Sequence, residues 1–183
     1  VVPLPFDLQG GMPLCAARAV LVGASLSAFG ALTFRSVVAR KAYAHMAPEL
    51  VASDRQRLLR IVQASTIIGL LAALAWLVLQ AGYMADASGL ADAVRAVPTV
   101  LARTAFGHVI LAQIAGLALL LAAVGSDTRL WRSRAPLGLS ALVLVLEAGH
   151  SHAYSMYGGP SILLASDVLH LLGAGAWLGG LPP

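Results

Sequence analysis

The chain has 183 residues, 59% of them hydrophobic and 11% charged, with a formal net charge of +4 and a mean hydropathy of +0.84. A soluble domain carries roughly 25% charged residues, so a water-soluble globular fold is excluded, and the basic balance reads as membrane topology rather than as a nucleic-acid footprint. The single cysteine, Cys15, excludes an intramolecular disulfide and a Cys-x-x-Cys metal site.

Long uncharged runs dominate the chain: Ala19 to Phe34, Ile61 to Ala85, Thr104 to Ser126, and Ala135 to Asp167 broken only by Glu147. A helix needs about 20 apolar residues to cross a bilayer. The runs lack period-two alternation and regular hairpin turns, which argues against a closed barrel. The expected fold is an all-α, polytopic transmembrane bundle of about five spans, at 14–35, 59–83, 104–124, 136–153 and 161–181. Pro13, Pro48, Pro98, Pro136 and Pro160 fall at or outside these ends, where a missing backbone N–H is harmless. Small residues inside the spans, such as Gly69, Gly116 and Gly175, let helix backbones approach closely. The second loop carries Leu90, Val94 and Val97 at helical spacing and is expected to form a short interfacial helix.

Orientation follows from Lys and Arg. Nine of the twelve lie in or beside the first and third loops, and three (Arg18, Arg95 and Arg103) lie on the other side. This places the first and third loops in the cytoplasm and the N-terminus, second loop and fourth loop outside. The chain opens at Val1 and stops at Pro183 straight after an apolar run, so residues 1–183 are read as a single membrane domain, a piece of a longer protein.

Imidazole and carboxyl groups inside lipid need partners: one another, a metal, a cofactor or a proton path. In span four, Glu147 precedes His150 by three residues, and in span five Asp167 precedes His170 by three, so each pair shares a helix face. With the two helices antiparallel, the expectation is a ladder of His108, His150, Glu147, Asp167 and His170 in the outer half of the bundle, with His152, Tyr154 and Met156 at its mouth. A carboxyl and a histidine three apart on each of two facing helices is one way to build a metal site in a bundle. Histidines with one methionine and deeper carboxyls suit copper, as Cu(I) or Cu(II), and zinc almost as well.

The run Gly149-His150-Ser151-His152, followed by Ser166-Asp167-Val168-Leu169-His170-Leu171-Leu172-Gly173-Ala174-Gly175-Ala176-Trp177-Leu178-Gly179-Gly180-Leu181, resembles the CopD family of bacterial copper-resistance membrane proteins. The segment Thr104-Ala105-Phe106-Gly107-His108 is similar to that family's helix start. The resemblance implies an inner-membrane protein that moves copper, usually inward, beside a periplasmic partner of the CopC type. It also implies roles for His150, Asp167, His170 and Trp177. Glu147, His152 and Met156 rest on spacing alone. Family members usually have about eight spans, against five here. Two further readings stand beside transport: a haem b redox protein ligated by His108, His150 or His170, and a factor delivering copper to a membrane oxidase. No nucleophile–base pair or phosphate-binding Gly loop is present, so enzyme activity is not expected, nor is a nucleic-acid partner. The expected partners are the copper ion and the lipid bilayer. Gln63, Ser65, Thr66, Gln80 and Gln113 are expected to cross-link helices rather than to touch substrate.

Overall fold

The structure, a computed structural model, describes residues 11–125, 130, 131, 133–150 and 162–178. Among the described residues helix is the only regular secondary structure, as the composition requires of a chain that must satisfy its backbone polar groups within lipid. The long elements are α1 (Gly11–Thr33), α2 (Pro48–Met84), α3 (Leu90–Arg103), α4 (Ala105–Gly125), α5 (Ala135–Ala148) and α6 (Ile162–Leu178). Three stretches are long and apolar enough to cross a membrane: Gly11–His45, Pro48–Met84 and Ala105–Gly125; α5 and most of α6 are shorter apolar helices. The protein is a helical membrane bundle.

The first expected loop is almost entirely helix. After Thr33 the chain runs on through a π-helical segment, Phe34–Ala39, a short α-helical stretch, Arg40–Ala42, and a 3₁₀ turn, Tyr43–His45. Pro48 then opens α2 at its first turn, where proline is at home. With 37 residues, α2 is about 55 Å long. It therefore outreaches a hydrocarbon core of about 30 Å and carries its first arginines beyond it.

α1, α2, α4 and α5 form the inner ring: α1 packs on α2 and α5, and α4 packs on α2 and α5 from the far side. α3 leans on α2 and α4 at one end, and α6 packs on α1 and α5 from outside. Two apolar cores result. Leu21, Ala73, Trp76, Ile110, Leu117 and Val143 lie towards the α3 end. Leu32, Leu58, Val62, Leu120, Val124 and Trp131 lie towards the other. Close helix approach depends on small residues as expected. A Cβ on Gly69 would touch Ala24 and Leu117, one on Gly116 would meet Val143 at 3.0 Å, and one on Gly175 would press Phe29 at 2.8 Å.

Some of the expected cross-links are present, whereas Thr66 donates instead to the Val62 carbonyl of its own helix at 2.7 Å. Gln63 Nε2 donates to the Val124 carbonyl at 3.2 Å, and Ser65 Oγ bonds Ser27 Oγ at 2.9 Å. The helix expected in the second loop is α3, but its contact face is shifted. Ala93 and Val100 are buried while Leu90 and Val94 are exposed. The reason is the tight seat on α2, where a Cβ on Gly82 would lie 2.9 Å from that of Ala93. Only a small residue fits that contact.

Candidate functional site

The α3–α4 corner sets the end of the bundle at which the polar groups meet. Thr104, in extended conformation between the helices, accepts a hydrogen bond from the Gly107 N–H at 2.9 Å and donates to the Val100 carbonyl at 2.8 Å. It thus caps α4 and ties off α3 together. Gly107 is required by closeness: an added Cβ would stand 2.1 Å from the Val100 oxygen. This corner fixes Phe106 and, two turns deeper, Gln113.

On the opposite wall α5 ends at Ala148, five residues earlier than the sequence suggests. Its last turn tightens, with the Gly149 N–H bonded to the Leu146 carbonyl and that of His150 to the Glu147 carbonyl, both at 3.1 Å. These are 3₁₀-type bonds, under which residues three apart eclipse. Glu147 and His150 are therefore stacked on one side, and both reach α4. Gln113 Nε2 donates to Glu147 Oε1 at 2.6 Å, and its Oε1 lies 3.3 Å from His150 Nε2. Gln113 is fully buried, and Glu147 is 4% exposed.

Aromatic rings close the site. The His150 imidazole sits edge-on to Trp76, with centroids 4.6 Å apart, and 5.3 Å from Phe106; Trp76 and Phe106 are 5.2 Å apart. Arg18 of α1 lies 5.6 Å from the Trp76 ring centre and brings its Nη2 to 3.5 Å from the His150 carbonyl oxygen. Two buried polar atoms in this neighbourhood have no hydrogen-bond partner among the described residues: Glu147 Oε2 and Trp76 Nε1. An unpaired polar atom in a dry core is costly, so these two are the atoms a guest could satisfy.

The sequence-derived residues divide into three groups. Glu147 and His150 come together around Gln113. His108 and His170 are exposed and Asp167 is half-buried. The last two ride on α6, outside the inner ring, with Leu169 and Trp177 each 70% exposed. His152 and Met156 lie outside the described residues. Among the described residues no three His, Cys, Asp or Glu side chains gather where they could hold one ion. The sequence reading missed Trp76, Phe106 and Arg18. Arg18, a lone cation immediately before an apolar run, was the available signal. Gln113 bridges helices as expected, but it does so at the centre of the polar cluster.

The fold and the cluster together describe a helical membrane bundle with an aromatic-walled polar cluster at one end and a strongly basic opposite end. The sequence matches the family described as Copper resistance protein D-like, N-terminal domain, over residues 9–162, and the chain belongs to that family. It is a membrane protein related to copper resistance. Neither the curated proteins nor the solved structures include a match. The matched segment contains Gln113, Glu147 and His150 and stops before Asp167 and His170.

Proposed function

We propose that this domain carries copper through the membrane, inward from the periplasm across the bacterial inner membrane. The observation that supports this reading most is Glu147. Its Oε2 is buried and has no hydrogen-bond partner among the described residues, and the carboxyl lies three residues before an imidazole and is held by a shared amide. A carboxyl oxygen and a histidine nitrogen supply two ligands of the kind copper accepts. His152 and Met156, next along the chain, are the candidates for the remaining ones, with Asp167, His170 and His108 as further stations. Gln113 orients both ligands from behind, the service that outer-shell partners give metal ligands. Arg18, by its charge, disfavours a cation lodging permanently, which suits a site that must release its cargo. A periplasmic copper-binding protein of the CopC type would load the outer end. No catalytic reaction is assigned to the chain.

The test is copper content and optical spectrum of the detergent-purified protein after copper loading, beside Glu147→Gln and His150→Ala. Copper near one per chain, lost in both variants, is the expected result, with flux into liposomes the next measurement. A Soret band would transfer the histidines to haem. Copper retained by both variants would end the proposal for this site.

A further inference from the structure

The other end of the bundle has chemistry that copper does not use. Along α2 it lies about 30 Å from Trp76, one hydrocarbon thickness away. There the π-helical extension of α1, the first turns of α2 and the segment before α5 enclose an open cavity of about 700 Å³. Four arginines line it, Arg35, Arg40, Arg55 and Arg134, with Tyr43 and Gln56 beside them. A single π-helical segment inside a helix is uncommon and tends to mark functional positions. Here it carries Arg35.

Arg35 is committed to structure. Its guanidinium lies 4.2 Å over the Trp131 ring, and it donates to the carbonyls of Trp131 and Ser133. Arg55 lies over the Tyr43 ring at 5.3 Å, and the Tyr43 hydroxyl donates to Asp54. Among the described residues the one ion pair is Arg95–Asp92, on α3. Among the described residues none of the four cavity arginines is paired with a carboxylate. Four like charges around one cavity repel one another, and an anion from outside would relieve this. The guanidinium fork matches phosphate oxygens two at a time. On the same helical segments that line the cavity, Val37, Val38 and Leu50 are exposed apolar residues, a surface suited to acyl chains.

We propose that this cavity binds the phosphodiester headgroup of an anionic phospholipid, held by Arg40, Arg55 and Arg134 on a frame fixed by Arg35 and Trp131. Basic pockets between helices at a membrane face recognise anionic headgroups in this way. The proposal is independent of the copper reading.

Native mass spectrometry of the purified protein with phosphatidylglycerol or phosphatidylcholine tests it. Phosphatidylglycerol should be retained preferentially. Replacing Arg40, Arg55 and Arg134 by Gln should weaken its retention about a hundredfold, at about fivefold per arginine. A triple Gln replacement of Lys41, Arg57 and Arg60, equal in charge lost but off the cavity wall, should leave most of the retention. Should the cavity triple variant fail to fold, the single exposed Arg134→Gln still predicts about a fivefold loss. Equal retention of both lipids, or equal loss in the two triple variants, would reduce the effect to surface charge and overturn the proposal. Displacement of the lipid by inorganic phosphate at comparable concentration would reassign the cavity to free phosphate.

Discussion

Gln113 is the residue on which the polar cluster turns. Its amide is used at both ends, one towards Glu147 and one towards His150, so no single-ended replacement restores it. Gln113→Leu fills much of the same volume but leaves Glu147 with neither oxygen bonded. In water-soluble cores, stranding a buried polar group costs about 1–3 kcal/mol. In membrane proteins the measured worth of such bonds averages about 0.6 kcal/mol, because the unfolded chain in lipid also finds partners. The second magnitude should govern here. Gln113→Leu is expected to keep a folded, monodisperse protein with a small stability loss, while copper retention falls about 10–100-fold, as for other outer-shell partners. Copper titration alongside an unfolding curve in mixed micelles separates the two effects. Unfolding as severe as the loss of copper would make Gln113 a packing residue only. Glu147→Gln offers the sharper contrast, since it keeps size and hydrogen bonding while removing the anionic ligand. It should lose copper with almost no change in melting temperature.

At the scale of the element, the α3–α4 corner is where sequence and geometry agree most closely. Thr104→Val removes both the cap on α4 and the bond back to α3, a loss of about 0.5–2 kcal/mol. Gly107→Ala is the more severe change. The neighbour is backbone, which cannot rotate away, so the helices must separate by an ångström or more. Overpacking of this kind costs about 1–3 kcal/mol or more. Thermal melting in detergent should rank Gly107→Ala below Thr104→Val, and the reverse order would mean that the corner is looser than the structure shows. Thr104 and Gly107 were legible as a helix start through the family resemblance, and the structure supplies the physical reason, a hydroxyl cap and a glycine of close approach. The contact face of α3 was not. Leu90, Val94 and Val97 have the apolar pattern, yet Ala93 is the residue that fits against Gly82, and only the tertiary partner decides that. The same holds for the polar groups. The three-residue spacing of Glu147 and His150 revealed their shared side, and the tightened last turn of α5 strengthens it. Asp167 and His170 have the same spacing, but α6 packs through Gly175, and helix phase then turns His170 outward. Which face of a uniformly apolar helix meets its neighbour is not written in its periodicity.

For the whole molecule, the two ends of the inner ring carry opposite chemistry: an aromatic-walled cluster of amide, carboxyl and imidazole at one, four arginines around an open cavity at the other. The positive-inside rule assigns the arginine end to the cytoplasm, which puts the Gln113–Glu147–His150 cluster where incoming copper would first meet the protein and the basic cavity at the inner leaflet. This orientation can be read with one reagent. In a Cys15→Ser background, a cysteine replacing Ser88, which precedes α3, should react with a membrane-impermeant maleimide in intact spheroplasts. One replacing Met46, between the α1 extension and α2, should react only after permeabilisation. The opposite pattern would invert the protein, placing the polar cluster at the cytoplasmic face. Copper capture there would then serve export, and the arginine cavity would meet outer-leaflet lipid instead. Labelling of both positions in intact cells would mean that α2 does not cross the membrane, although its 37 residues are more than enough to do so.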